Sequence, residues 1–166
     1  MAVDEVAWSI AMNGYFEYEP LFVQKEDGKL VVIEGNRRLA AVKILLDKKL
    51  RGELRATDLP EITKERAEEL STLPVIHSTR EGVWQYLGYK HVNGPAEWGS
   101  FSKAEYIARV HRDYNVPLEE IAERIGDRHL TVQRLHGGWV ILEQAEQNKV
   151  LSRDDRAKNH FAFSHL

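Results

Sequence analysis

Cysteine is absent from the 166-residue chain. That excludes disulfides, thiolate metal sites and cysteine nucleophiles, and it is compatible with a reducing cytoplasm. Long apolar runs are missing as well. Stretches such as Leu30 to Ile33 last a handful of residues, far below the ~18 that cross a bilayer. Asp4 and Glu5 stand near the start without a basic n-region, so no secretory signal is visible and no membrane partner is expected. A basic excess is also lacking: 23 Lys and Arg face 26 Asp and Glu, for a net charge of −3. A domain that holds nucleic acid through bulk charge needs such an excess, so any DNA contact must rest on a local patch.

What is present suits folded protein. With 43% hydrophobic and 30% charged residues, the chain can form one ordinary domain or two small ones. Residues 1–99 hold 13 basic and 16 acidic groups, whereas residues 100–166 hold 10 of each and five of the seven histidines. No internal repeat or low-complexity tract interrupts it.

The periodicity predicts a helix over 4–13, with Asp4 as a cap and Val6, Ala7, Ile10 and Ala11 on one face. Asn13-Gly14 stops it. Leu21-Phe22-Val23 and Leu30-Val31-Val32-Ile33, on either side of Glu26-Asp27-Gly28, read as a β-hairpin. Gly35 then leads a helix through Leu39, Ala40, Val42, Ile44 and Leu45, with Lys48 and Lys49 expected at its C-terminus. Pro60 and Pro74 bound a short helix around Glu61 to Leu70, and Pro74-Val75-Ile76-His77 can return one strand to the sheet. Residues 80–90 read as helix through Val83, Trp84 and Leu87. His91 to Ser102, with Gly94, Pro95 and Gly99, reads as loop, and everything after Ser102 as helix. The domain boundary is therefore expected near residue 100.

Two constellations carry chemistry. Glu34-Gly35-Asn36-Arg37-Arg38-Leu39-Ala40-Ala41 sits where strand gives way to helix. Free N–H groups at a helix start favour an anion, Gly35 admits close approach, and two arginines can fork onto phosphate oxygens. The ordinary alternative is a solvated basic first turn paired with Glu34 and other carboxylates, although the helix dipole disfavours arginine there. The second constellation, residues 118–137, fits a helix-turn-helix. Leu118, Ile121 and Ile125 bury one helix, Ala122 is small where two helices cross, Gly126 takes the turn, and Val132 and Leu135 bury the next. Asp127 caps that second helix, or Thr131 starts it. Arg128, His129, Thr131, Gln133 and Arg134 are the exposed positions able to reach base edges or phosphates. An ordinary helical hairpin is the alternative, and Gly137-Gly138 is expected to weaken the second helix's far end, by roughly 1 kcal/mol per glycine.

In this order the two constellations resemble the ParB/sulfiredoxin-like superfamily: a ParB-like nucleotide-binding domain followed by the ParB helix-turn-helix. Gly35-Asn36-Arg37-Arg38-Leu39-Ala40-Ala41 stands where the family has G-E-R-R-x-R-A, and Leu118 to Gly126 with Thr131-Val132 resembles its helix-turn-helix. The resemblance implies an α+β fold, a small mixed β-sheet with helices over residues 1–99 followed by an all-helical DNA-binding part over 100–166. It implies a nucleotide triphosphate, CTP or ATP with Mg2+, whose phosphates lie against Gly35, Asn36, Arg37 and Arg38, with His91 and Asn93 on the opposite side. It further implies DNA as partner, a homodimer, and a cytoplasmic location, nucleoid-associated in a bacterium.

Departures bear on the chemistry. Asn36 replaces the box glutamate, the Lys90-His91-Val92-Asn93-Gly94 region lacks the acidic metal ligand of the family's E-N-x-Q-R box, and cysteine-based peroxiredoxin repair is excluded. The family's strand of the form Pro-x-Gln-Pro-Arg before the first helix is not seen, so the chain reads as N-terminally truncated, and its apolar tail, Asn159 to Leu166, suggests continuation. The enzymatic alternative is a slow NTPase, a nuclease or a phosphotransferase in the same site, with Glu34 and His91 assisting a metal-activated attack. Trp98 and Phe101 are expected as packing anchors between the two parts, and His111 as a partly buried side chain facing a helix end.

Overall fold

The computed structural model describes residues 3–56, 58–94, 98–150 and 152. Among them the protein is α+β, with eight α-helices and a three-stranded mixed sheet. It divides into two compact units, Met1–Arg80 and Glu81–Leu166. The apolar tail from Asn159 lies outside the described residues.

The first unit opens with α1 (Val3–Asn13), the strands β1 (Leu21–Glu26) and β2 (Lys29–Glu34), and α2 (Asn36–Leu46). β1 and β2 pair antiparallel around Asp27 and Gly28, whose φ values of 47° and 78° are both positive, as a two-residue hairpin turn of the primed type requires. α3 (Lys48–Glu53) and α4 (Lys64–Leu70) follow, and β3 (Val75–His77) joins β1 in parallel, giving the order β2-β1-β3. The core of this unit is helical. Val6, Ala7 and Ile10 of α1 pack on Ala41, Val42, Ile44 and Leu45 of α2, with Leu59 and Leu70 closing the cluster.

One boundary differs from the sequence reading. Lys48 and Lys49 begin α3 instead of ending α2, because Asp47 breaks the helix in an extended conformation and accepts from the N–H groups of Lys49 and Leu50. A good N-cap side chain outcompetes helix continuation here.

The second unit contains α5 (Arg80–Gly88), a π-helical turn (Tyr89–Asn93), α6 (Ser100–Asp113), α7 (Leu118–Ile125) and α8 (Thr131–Gln147). α6 packs on α7 and α8, and α7 also meets the π-helical turn. Ile107, Val110, Ile121, Ile125 and Val132 are essentially inaccessible to solvent.

The division falls between Arg80 and Glu81, about twenty residues before the boundary read from the sequence. The reason is that α5 and the π turn are built into the helical unit. A Cβ on Gly88 would lie 2.6 Å from the Ile125 side chain, the Tyr106 hydroxyl donates to the Trp84 carbonyl, and Asn93 Nδ2 donates to the Ile125 carbonyl at 3.1 Å. Residues 91–93 are thus helical where loop was expected. α8 likewise runs unbroken through Gly137 and Gly138, since Gly138 and Trp139 are buried and tertiary packing outweighs propensity. Among the described residues no helix is long and apolar enough to cross a membrane.

Candidate nucleic-acid interface and anion site

The start of α2 is built by Gly35. Its φ of 95° lies in the left-handed region, and a Cβ there would stand 2.4 Å from the Leu21 side chain, so both conformation and space call for glycine. No side chain caps the helix and its first turn has no acidic residue. Asn36 and Arg37 are exposed beside the leading N–H groups, a donor set suited to an anion.

Arg38 is differently placed. Its guanidinium turns toward the segment before β1, donating to the Glu19 carbonyl and lying 3.2 Å from the Glu19 carboxylate. The Tyr15 hydroxyl and the Pro20 carbonyl are each at 3.5 Å, and Glu34 Oε1 is at 3.7 Å on the other side. Glu34 is only 8% exposed. Burial raises the Tyr15 pKa, against the opposing pull of the Arg38 charge. For Arg38 and Glu34, then, the structure has the ordinary carboxylate pairing that competed with the phosphate reading in the sequence. Nothing local announced Tyr15 and Glu19 as partners, because they lie 23 and 19 residues away.

His91 and Asn93, expected on the opposite side of the same site, belong to the other compact unit and are engaged within it. The buried His91 ring stacks on Trp98 with centroids 4.2 Å apart and planes 6° from parallel, and Trp98 meets Tyr106 edge-on at 5.3 Å. Asn93 is held by the Ile125 carbonyl. Trp98 and Phe101, expected as anchors between the two parts, have their ring contacts inside this unit: Trp98 on His91 and Tyr106, and Phe101 5.6 Å from the Trp139 ring. Among the described residues no group of three or more His, Asp or Glu side chains is placed to hold a metal ion.

The α7–α8 pair has the burial read for a helix-turn-helix. Ile121, Ala122, Ile125, Val132 and Leu135 all face inward, while Leu118 is half-buried. Gly126 ends α7 at φ 74° and ψ 27°, a left-handed cap that glycine adopts without strain. Asp127 then spans the turn. Its backbone N–H bonds the Ala122 carbonyl at 2.8 Å, and its carboxylate accepts from His129 N at 3.0 Å and Val132 N at 2.7 Å. Leu130, exposed and left-handed at φ 58°, is the residue immediately before α8. No pattern in the sequence flagged it.

This turn leaves Arg128, His129 and Arg134 exposed around the start of α8. Thr131 and Gln133 are corrections to the exposed set: both are half-buried, and Gln133 Oε1 is shielded from solvent. Packing at the helix start covers them. On α7 the outward residues are acidic, Glu119, Glu120 and Glu123, with Arg124 tied to Glu120 at 2.7 Å. The basic character of the motif is thus concentrated at the beginning of α8.

At the α6–α8 contact the rings of His111 and His136 meet edge to face, 5.1 Å between centroids. His111 Nδ1 donates to the Val116 carbonyl at 2.8 Å, which fixes its tautomer. Burial, then the neighbouring His111, lowers the His136 pKa, and Glu143 partly offsets both.

No protein-family model, curated protein or solved structure matches the chain.

Proposed function

We propose that the protein binds DNA through α7 and α8, and that a nucleotide phosphate at the start of α2 regulates that binding in a ParB-like manner. The observation that carries the DNA reading is the Asp127-capped turn. It fixes the first turn of α8 on a buried two-helix platform while Arg128, His129 and Arg134 point outward. Arginines there can pair with phosphate oxygens or fork onto guanine. The acidic residues of α7 leave the start of α8 as the approach for a polyanion.

Support for the nucleotide is chemical. An uncapped helix start, a glycine admitting close approach, and exposed Asn36 and Arg37 suit triphosphate oxygens. In this reading Gly35, Asn36 and Arg37 hold CTP or ATP, while Arg38 holds the Tyr15–Pro20 segment. Mg2+ arriving with the nucleotide would neutralise part of its phosphate charge beside Asn36 and Arg37. A ParB/sulfiredoxin-like fold of the first unit, Met1–Arg80, is part of the same proposal, resting on the helix, hairpin and glycine-led helix in that order. Nuclease or phosphotransferase chemistry is the weaker reading, since Glu34 faces Arg38 and His91 is stacked on Trp98.

The experiment is fluorescence anisotropy with a labelled duplex of random sequence at low salt, with and without CTP or ATP. Binding that weakens steeply with salt, and that falls in Arg128→Ala/Arg134→Ala, is expected. Neutralising two phosphate contacts fewer should lower the log–log salt slope by about 2. No binding at low salt, or a double variant indistinguishable from the parent, refutes it.

A further inference from the structure

Leu130 breaks three local rules at once. It stands immediately before α8, where Ser, Thr, Asp or Asn is favoured, and makes no side-chain cap. Its φ of 58° and ψ of 24° are left-handed, a conformation that suits glycine or asparagine and is costly for leucine. Its apolar side chain is 66% exposed. The other non-glycine residues with positive φ among those described are Asp27, Arg55, Asn115 and Lys149, all polar. The turn itself does not need leucine. Asp127 supplies the acceptors for His129 N and Val132 N, and Leu130 adds a backbone carbonyl that accepts from Arg134 N at 3.1 Å. Local violations of this kind concentrate where a side chain meets a ligand.

The neighbours say which ligand. Exposed Arg128 and His129 precede Leu130, and exposed Arg134 follows one helical turn later, so the leucine is an apolar point within the basic surface assigned to DNA. The apolar group that the major groove offers is the C5-methyl of a pyrimidine. We propose that Leu130 reads this methyl and is a specificity-determining residue of the DNA contact. The inference rests on the DNA reading of α7 and α8 and adds to it what charge does not supply. Arginines bind phosphates anywhere and fork onto guanine, whereas a pyrimidine methyl is recognised by apolar contact. Arg134 lies about 6 Å further along at 1.5 Å per residue, and stacked bases are about 3.4 Å apart. The methyl and a guanine should therefore fall within about two base pairs of each other. Thymine and 5-methylcytosine both carry the group.

Selection from a pool of randomised duplexes, run in parallel with the full chain and its Leu130→Gly variant, tests this. The parent is expected to fix a methylated pyrimidine, thymine in an unmodified pool, close to a guanine, and Leu130→Gly to lose the thymine while keeping the guanine. Uracil in place of that thymine removes only the methyl, and should weaken binding by the parent about fourfold, the worth of one buried methyl group. Leu130→Gly should bind the thymine and uracil duplexes equally. Cytosine and 5-methylcytosine compared at the same position identify the source: a gain with the methyl assigns both bases, and no gain assigns thymine alone. Glycine accepts the left-handed backbone, so the variant should melt no lower than the parent. The proposal is overturned by a selected site without thymine, by equal binding of the thymine and uracil duplexes by the parent, or by undiminished discrimination in Leu130→Gly. A fall in Tm of more than about 3 °C in that variant also overturns it, because leucine would then serve the fold. Failure to bind any duplex refutes the DNA reading itself, and this inference with it.

Discussion

Replacing Asp127 by alanine removes the side chain that fixes the start of α8. Two backbone N–H groups lose their acceptor, Val132 N at 2.7 Å and the more exposed His129 N at 3.0 Å. Loss of a capping side chain costs about 1 kcal/mol, and loss of a carboxylate beside a helix N-terminus about 0.5 kcal/mol more. The Val132 bond is half-buried, which places the sum toward the upper part of that range, at about 2 kcal/mol. For a chain of this size that corresponds to a fall in Tm of about 5 °C. Urea unfolding followed by tryptophan fluorescence measures it directly, because Trp84, Trp98 and Trp139 all lie in the second unit. Asp127→Asn keeps one acceptor oxygen where Oδ1 and Oδ2 each take an N–H, so it should lose the charge-dependent part and one of the two bonds, an intermediate loss smaller than that of alanine. A loss below about 0.5 kcal/mol in the alanine variant refutes the capping argument, as does an equally large loss in the asparagine variant.

Gly35→Ala should destabilise the first unit by about 2 kcal/mol or more, from the left-handed φ and the approach to Leu21, and a thermal melt checks it. Gly137→Ala, in an open and exposed helical site, should instead stabilise by about 0.5–1 kcal/mol in the same melt. Burial holds the folded-state pKa of His136 below the ordinary histidine value of 6.5, so folding favours its neutral form. Its contribution is therefore intact above pH 6.5 and is lost as pH falls through the lower folded value. Denaturant midpoints measured across that limb should decline less steeply in His136→Asn.

The elements legible in the sequence are those whose signals are local. Asp27-Gly28 marked the hairpin because the turn geometry needs two positive φ values. The spacing of Ile121, Ala122, Gly126 and Val132 marked two helices joined by a glycine turn, and in the structure Ile121, Ala122 and Val132 are buried while Gly126 is left-handed. Tertiary partners were not legible. The apolar face of Val83, Trp84 and Leu87 announced an amphipathic helix but not that it belongs with α6 and α7, which moved the unit boundary from near residue 100 to Arg80. Arg38 reads as a phosphate ligand from its neighbours in sequence, yet its geometry is set by Tyr15, Glu19 and Pro20. Burial of Gln133 likewise depends on packing around the start of α8, which no pattern of polar residues encodes.

The most direct test of the central claim is amide chemical-shift mapping of the labelled protein titrated with a short duplex at low salt. The account expects the largest perturbations at residues 127–134, around the Asp127 turn, with the amides of 36–38 unmoved by DNA but shifted by CTP or ATP. Perturbations concentrated outside 127–134, or none at saturating duplex, contradict it.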